Sequence, residues 1–350
     1  MSEKKLYIIG KLFEKSSGGP ANIVRGLIKN FELEQANYDS ILLTENISKL
    51  GFIKKIFQTC MKSSGCIVNV HTDGFLIPLL VYIVSLVSSS NSYYLTVHGI
   101  YKTESRMEGK SLYRYILIEK LLYRHFPNLI CVSEMLRKDI QREFGRKENV
   151  YVIPNATDAE SRQIPDIKRD KLALISLGGL RCCKGIDHTI DLARLLDENG
   201  IPFELDVYGQ PESKEQWFHN ELITRKLEDK IHFCGMSTDR QNLYDMIAKA
   251  DVQLCLSRYD TFNVAIAESL VLGCPVVSTN RCGASCWVEG DDGCIIDIDD
   301  WENTGINNAY EYIRKIYENR ELRWNIYQSR EKNREKLSWK AIVNAYASLD

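Results

Sequence analysis

The chain has 350 residues, of which 44% are hydrophobic and 26% are charged, and its formal net charge is −2. This composition is typical of a soluble globular protein and carries no signature of nucleic-acid binding. The length suits two domains. Residues 1–160 hold 21 basic and 16 acidic side chains, whereas the remainder holds 24 and 31, which indicates different partners for the two halves.

The cysteines and the N-terminus bear on cellular location. Eleven cysteines without paired spacing favour a reducing compartment over a secreted disulfide framework. Residues 1–10 lack the long apolar stretch and cleavage site of a signal peptide. The longest apolar run, residues 75–87, is interrupted by Pro78 and is shorter than the ~20 residues that span a bilayer. We therefore expect a buried helix there and a cytoplasmic protein, with peripheral contact to the cytoplasmic face of the membrane left open.

Short β-rich segments alternate with helical segments through the first half of the chain. This alternation predicts a parallel sheet with helices on both faces. The predicted strands are residues 6–9, 40–43, 66–70, 94–97, 129–132 and 151–153.

The alternation restarts after a polar, proline-containing linker at residues 154–169. The predicted strands of this second block are residues 172–175, 203–207, 230–233, 252–255 and 276–278. Two such blocks predict an α/β protein with two Rossmann-like, doubly wound domains, residues 1–160 and 161–335, facing across a cleft that holds the ligand. The tail is helical, and we expect residues 336–350 to form a C-terminal helix that crosses back to the first domain.

The segment Ser257–Pro275 has the clearest boundaries. Val264–Leu272 reads as a short helix with Asn263 as its N-cap. Gly273 ends the helix and Pro275 prevents its continuation.

Two carboxylates flank the start of this helix, Asp260 in the loop and Glu268 just over one turn into the helix. The N–H groups of Thr261–Val264 lie between them and form an anion site. One carboxylate can bind sugar hydroxyls, the other can hold a ribose diol, and the amides can face phosphate. From spacing alone, an acidic loop residue and a surface glutamate are an equally good interpretation.

The segment resembles the E-x7-E motif of retaining family 4 glycosyltransferases, which adopt the GT-B fold. Further landmarks follow the family's order along nearly the whole chain. They are Gly18-Gly19, Thr96–Gly99, Ile130–Ser133, Val152–Asp158, and Ser176–Leu180 with Lys184-Gly185.

The resemblance implies transfer of a sugar from a nucleotide-sugar donor with retention and without a metal or other cofactor. It implies a glycan or undecaprenyl-linked saccharide as acceptor and a role in O-antigen or capsule assembly. Nucleic acid is not an expected partner.

The resemblance also assigns residues to roles. Lys184 would stabilise the departing diphosphate, Glu268 would hold the ribose, and Asp260 the donor sugar. Arg181 either reaches the same phosphates from two residues beyond the family's arginine position, or that contact is absent. His98 would contact the donor sugar near the reaction centre, with His71 a weaker candidate. The expected catalytic residues are His98, Asp260 and Lys184, and the donor-binding residues are Gly18, Gly19, Gly178, Gly179, Arg181, Lys184, Asp260, Thr261, Phe262, Asn263, Val264 and Glu268.

Several positions depart from the family pattern. Asp260 replaces the first glutamate, Gly179 stands where the family has arginine, and Asn263 and Ala156 replace glycines. These departures keep open a non-catalytic sugar- or nucleotide-binding subunit. A nucleotide-sugar 2-epimerase of the same fold is the other alternative, although no additional acid/base cluster is evident.

Competing motifs are weak. Asp297-Ile298-Asp299 spells the D-x-D of metal-dependent transferases, but the resemblance places a strand and an acidic turn there. Cys282, Cys286 and Cys294 lack a second pair or a histidine to form a zinc site. The chain has no Walker-type phosphate loop and no G-x-G-x-x-G after its first strand, which disfavours a kinase-type NTPase and a nicotinamide enzyme.

A basic stripe is predicted in the first half. Lys102, Arg106, Lys110 and Arg114 recur every four residues and would share one face of a helix. A membrane-surface stripe and a solvated helix face are equally good interpretations.

Overall fold

The computed structural model describes residues 4–13, 19–34, 36–71, 74–109, 111–211, 214–237 and 239–349. The chain forms two compact units, Met1–Ala156 with Ser338–Asp350, and Thr157–Leu337. The C-terminal segment from Ser338 onward thus belongs to the first unit. None of the helices in these described ranges is both long and apolar enough to cross a membrane.

The first unit contains one parallel sheet. Its strands are β1 Leu6–Lys11, β2 Tyr38–Leu43, β3 Ile67–His71, β4 Ser92–Val97, β5 Asn128–Cys131 and β6 Val150–Val152. Its helices are α1 Gly19–Leu33, α2 Lys49–Lys62, α3 Leu76–Val87, α4 Tyr101–Met107, α5 Tyr113–His125, α6 Glu134–Phe144 and, from the end of the chain, α14 Trp339–Ala347.

The strand order β2-β1-β3-β4-β5-β6 fixes where the helices of this unit lie. From β1 to β2 the chain advances toward one edge of the sheet, and from β2 to β6 it advances toward the opposite edge. Right-handed crossovers therefore place α1 on one face of the sheet and α2 to α6 on the other. The packing agrees, since α1 contacts α14, whereas α2 contacts α3, α3 contacts α5 and α5 contacts α6. Gly26 permits the α1–α14 contact, because a Cβ there would lie 2.1 Å from the Trp339 ring.

The second unit contains the other parallel sheet. Its strands are β7 Leu172–Leu177, β8 Phe203–Tyr208, β9 Ile231–Gly235, β10 Val252–Cys255, β11 Val276–Thr279 and β12 Gly293–Ile296. Its helices are α7 Ile186–Glu198, α8 Glu215–Arg225, α9 Arg240–Lys249, α10 Val264–Leu272, α11 Ile306–Glu318, α12 Arg320–Gln328 and α13 Glu331–Leu337.

The order β12-β11-β10-β7-β8-β9 puts the reversal of strand order between β7 and β10. The loops after these two strands leave the sheet in opposite directions, which opens a crevice at their carboxyl ends. This is the position where doubly wound sheets bind ligands.

The strand predictions are confirmed: each of the eleven segments predicted from the β pattern overlaps a strand, and β12 occupies the place where the resemblance implied one. The prediction of a buried helix at residues 75–87 is wrong in part. A helix forms there, but Leu76, Ile83, Leu86 and Val87 are exposed. The outer side of α3 is therefore not covered by the rest of the described unit.

The predicted basic stripe does not lie on one helix. Lys102 and Arg106 are in α4, which ends at Met107, and Arg114 is in the separate helix α5. Lys102 is further engaged in an ion pair with Glu143, with a 2.8 Å Nζ–Oε2 distance. Lys110 lies outside the described residues.

Candidate functional site

Lys184 and Asp260 meet at the reversal point of the second sheet. Lys184 follows β7 and Asp260 follows β10, so the loops of adjacent parallel strands bring them together. The Lys184 ammonium donates to Asp260 Oδ2 at 2.5 Å, and the two side chains are 25% and 16% exposed. Burial lowers the pKa of Lys184, but the Asp260 carboxylate more than offsets this and raises it overall. The lysine is thus held as a cation in a half-buried position.

Glycines shape the loop that carries Lys184. Gly179 has a φ of +64°, and a Cβ there would lie 2.3 Å from the carbonyl oxygen of Gln210. An arginine therefore does not fit at this position, where the family pattern has one. Gly178 leaves room for the Lys184 side chain, because a Cβ at Gly178 would lie only 2.9 Å from the Lys184 Cβ. The lysine stem therefore lies against bare backbone.

Arg258 fixes the short turn before Lys184. Its guanidinium donates to both carboxylate oxygens of Asp187, at 2.8 and 2.6 Å, and to the Cys182 carbonyl at 2.7 Å. Its backbone N–H donates to the Cys183 carbonyl at 2.9 Å. Sequence analysis missed Arg258 and Asp187, although Arg258 lies just past the end of β10, at the edge where the site was expected.

The Asp260 loop is tied to the segment after β11. The Asp260 N–H donates to the Arg281 carbonyl and the Gly283 N–H donates to the Asp260 carbonyl, both at 2.9 Å. The Ala284 N–H donates to the Phe262 carbonyl at 2.6 Å. These bonds fix the backbone of the loop before α10, from which the Asp260 side chain extends.

The predicted helix Val264–Leu272 is confirmed at both ends, and Gly273 ends it in a left-handed conformation. The predicted N-cap position of Asn263 is also confirmed. Asn263 has a φ of +67° there and makes no side-chain capping hydrogen bond. Its amide instead points to the Cys282 sulfur at 3.7 Å. Asparagine is one of the few non-glycine residues that tolerate this conformation, which accounts for it where the family often has glycine.

Glu268 lies in α10 and its carboxylate is buried. Arg240 donates to Glu268 Oε1 at 2.6 Å and to the Tyr244 hydroxyl at 3.0 Å. Burial raises the pKa of Glu268 to about 7, and Arg240 and Tyr244 offset part of this rise. The glutamate is therefore not the surface residue that spacing alone allowed. Arg240 and Tyr244 were missed, since nothing in the sequence connects α9 to α10.

A buried arginine anchors the far end of α10. Arg323 is fully buried and donates to the carbonyl oxygens of Ala248, Ala250 and Gly273 at distances between 2.6 and 3.1 Å. These carbonyls lie at the C-terminal ends of α9 and α10, where backbone acceptors lack helical partners. Arg323 therefore fixes together the two helices that carry Arg240 and Glu268.

In the first unit, His98 follows β4, at the strand end where it was predicted. Its Nε2 lies 3.0 Å from Nδ1 of His71, which ends the neighbouring strand β3, and the rings stack. Burial lowers the pKa of His98 to about 4, and burial with the neighbouring imidazole lowers the pKa of His71. Both rings are therefore neutral at pH 7. His98 can donate or accept a hydrogen bond at this pH, but it carries no positive charge.

The backbone after His98 is fixed by a buried carboxylate. Glu119 accepts from the N–H groups of Tyr101 at 2.5 Å and Lys102 at 3.1 Å, at the start of α4. The Tyr123 hydroxyl donates to the Gly99 carbonyl at 2.8 Å. Sequence analysis gave no role to Glu119, whose contacts with α4 lie 17 and 18 residues away along the chain.

The remaining predicted residues are placed as follows. Gly19 is the first residue of α1, Gly18 lies outside the described residues, and Arg181 stands directly before the turn that ends at Lys184. Within the described ranges, no cluster of three or more histidine, cysteine or acidic residues could hold a metal ion. In the D-x-D triplet, Asp297 accepts from Asn280 and Asp299 pairs with Arg281. None of the cysteines in the described ranges forms a disulfide bond.

Solved structures match the fold over nearly the whole chain. Anabaena HepE, solved with UDP and glucose, is 18% identical, with a TM-score of 0.72 over 97% of this chain and 98% of that chain. WaaG, a glycosyltransferase involved in lipopolysaccharide biosynthesis, is 15% identical, with a TM-score of 0.69 over 98% of both chains. These likenesses show that the fold is GT-B.

Curated relatives match more locally. An MMP α-(1→4)-mannosyltransferase of Mycolicibacterium hassiacum is 27% identical over 184 residues, which is 52% of this chain and 43% of that protein. An Escherichia coli enzyme, UDP-Gal:α-D-GlcNAc-diphosphoundecaprenol α-1,3-galactosyltransferase, is 24% identical over 247 residues, or 66% of this chain and 62% of that one. The chain thus spans less than two thirds of either relative.

Two family profiles match. Residues 67–161 match Glycosyltransferase Family 4. Residues 157–333, half of the chain, match Glycosyl transferases group 1 and include the ion pair, the glycine loop and the buried glutamate. The chain therefore belongs to the group 1 glycosyl transferases, in their family 4 branch.

Proposed function

We propose that this protein transfers a hexose from a nucleotide-sugar donor to a glycan or lipid-linked saccharide, with retention of anomeric configuration and without a metal. The observation that carries the proposal is the Lys184–Asp260 pair at the strand reversal of the second sheet. It puts a cation and a carboxylate at the position where doubly wound sheets bind nucleotides.

The leaving group sets the main catalytic demand. When the bond between the sugar and the diphosphate breaks, negative charge develops on the diphosphate and requires a fixed positive group. Lys184 supplies it, because its ammonium has three N–H donors and Asp260 takes one. We assign the others to diphosphate oxygens, with Arg181 as a second cation and the first N–H groups of α10 as further donors.

The two carboxylates take different parts of the donor. Asp260 lies beside the lysine and is assigned to the hydroxyls of the transferred sugar. Glu268 is buried, pairs with the partly exposed Arg240, and is assigned to the ribose diol. A pKa of about 7 suits this role, since either protonation state can bond a hydroxyl. His98, which is neutral at pH 7, is assigned to a sugar hydroxyl as a hydrogen-bonding partner.

The acceptor is proposed from the relatives. The Escherichia coli relative is named for a diphosphoundecaprenol-linked sugar, and WaaG for lipopolysaccharide biosynthesis. These support an undecaprenyl-linked saccharide as acceptor and a role in O-antigen or capsular polysaccharide assembly.

The test is nucleotide release by the purified protein in EDTA, offered UDP-, GDP-, dTDP- and ADP-sugars in turn with and without undecaprenyl-diphosphate-linked N-acetylglucosamine. We expect one donor class to release nucleotide without metal, and the product to keep the anomeric configuration of the donor by NMR. A changed sugar without acceptor would identify an epimerase instead. Donor binding without turnover under any acceptor, even with metal restored, would identify a non-catalytic subunit.

A further inference from the structure

Exposed apolar side chains are concentrated on one part of the first unit. Among the described residues, thirteen of the twenty exposed large apolar side chains lie between Leu50 and Leu121. Eleven of them belong to α2, α3 and α5, which are neighbours on the same face of the sheet. Exposed apolar residues are usually scattered singly, so this concentration indicates an interaction surface.

Helix α2 shows the pattern most clearly. Leu50, Ile53, Phe57 and Met61 are 77%, 38%, 36% and 55% exposed. Their spacing of three and four residues places them in one stripe along the helix. The residues that α2 buries, Phe52, Ile56 and Cys60, form a separate stripe against the unit. The exposed stripe is therefore not needed to attach the helix.

Helices α3 and α5 extend the surface. Leu76, Ile83, Leu86 and Val87 are exposed on α3, which carries no charged residue. Tyr113, Leu117 and Leu121 recur every fourth residue on α5 and are 73%, 48% and 41% exposed.

On the three helices of this surface, the exposed charged side chains are all basic. Helix α2 carries four lysines and no acidic residue, and α5 carries three exposed basic residues, whereas its only acidic side chain, Glu119, is buried. We call these side chains together the apolar–basic face. Its members are Lys49, Leu50, Ile53, Lys54, Lys55, Phe57, Met61 and Lys62 of α2, Leu76, Ile83, Leu86 and Val87 of α3, and Tyr113, Arg114, Leu117, Lys120, Leu121 and Arg124 of α5.

We propose that the apolar–basic face docks on a phospholipid bilayer that contains anionic lipid. Apolar and basic side chains on one surface match the boundary between acyl chains and anionic headgroups. The apolar side chains contact the acyl chains there, and the basic side chains contact the headgroups. A second copy of the chain fits less well, because pairing this face with itself would bring basic groups together. The proposal does not depend on sugar transfer.

The test is vesicle flotation of the full-length protein. We expect it to float with vesicles of phosphatidylcholine mixed with phosphatidylglycerol, to bind phosphatidylcholine alone far more weakly, and to dissociate as salt rises. The double variant Lys54→Gln/Lys55→Gln should bind about fivefold more weakly per lysine removed. The double variant Leu50→Glu/Met61→Glu should lose about tenfold or more in affinity, because both side chains would leave the acyl boundary.

Leu33→Glu is the matched control. Leu33 is 67% exposed in α1, on the opposite face of the same sheet, so this variant should bind like the wild type and all variants should melt alike. The proposal would be overturned if Leu33→Glu lost as much vesicle affinity as Leu50→Glu/Met61→Glu. It would also be overturned if the wild type bound vesicles equally with and without anionic lipid, or did not float with vesicles at all. A wild-type dimer by light scattering that Leu50→Glu/Met61→Glu dissociates would overturn it as well, since a second copy would then cover the face. The rise in melting temperature that a nucleotide-sugar donor causes in the same samples reports separately on donor binding by the second unit.

Discussion

Replacing Lys184 by alanine removes the ammonium that pairs with Asp260 and leaves this carboxylate without its strongest partner. The Asp260 side chain is only 16% exposed. Its other described donor is the Phe262 N–H at 3.3 Å. The carboxylate in the variant is thus partly desolvated and poorly paired.

The cost to stability follows from the geometry. A hydrogen bond to a charged group contributes about 1.5–3 kcal/mol, and the remaining solvent access of both side chains favours the middle of that range, about 2 kcal/mol. For a unit of this size, 1 kcal/mol shifts the melting temperature by about 2–4 °C, so the second unit should melt about 4–8 °C lower. Turnover should fall further, by about 100-fold or more, since the charge on the leaving diphosphate loses one of its two assigned cations.

Thermal unfolding and nucleotide release on the same sample measure both effects. Lys171→Ala is the matched control, since Lys171 pairs with Glu204 at 3.2 Å in the same unit with both side chains more than half exposed. That variant should lose less than about 1 kcal/mol and keep full activity. If Lys184→Ala turns over like Lys171→Ala, the lysine has no part in the mechanism, whatever its effect on melting.

Glu268→Ala should weaken nucleotide-sugar binding by about tenfold or more while the protein stays folded, and wild-type affinity by calorimetry would remove Glu268 from the ribose site. Gly179→Ala should destabilise the second unit more than Gly200→Ala, because both glycines have positive φ but only a Cβ at Gly179 meets backbone, 2.3 Å away; equal denaturation midpoints would refute the close approach. The pKa of His98 is lowered to about 4 from 6.5, so the unfolded state takes up protons first and the stability that His98 contributes declines as pH falls through this window. His98→Gln should therefore lose less stability than the wild type between pH 6.5 and 4, and identical pH profiles in urea denaturation would contradict the burial of this imidazole.

Local signals in the sequence were sufficient to predict the helix, the strands and the glycine loop that carry the site residues of the second unit. The bounds of Val264–Leu272 were predicted correctly because Gly273 and Pro275 stop the helix chemically, whatever packs around it. The alternation of strands and helices likewise predicted the two sheets, and the position of Lys184 after a glycine loop followed from chain order.

Long-range partners could not be predicted. The contacts of Arg240 with Glu268 and of Arg258 with Asp187 join elements 28 and 71 residues apart, and no periodicity encodes them. The outer side of α3 was predicted to be buried because its apolar composition is that of a core helix. Composition reports how apolar a segment is, whereas its exposure depends on whether another element covers it.

The central claim is that the nucleotide diphosphate binds at the strand reversal of the second unit. A crystal structure with the bound nucleoside diphosphate of the preferred donor tests it most directly. We predict diphosphate oxygens within hydrogen-bonding distance of Lys184 Nζ and ribose hydroxyls on the Glu268 carboxylate. A nucleotide bound elsewhere, with Lys184 still paired only to Asp260, would contradict the account.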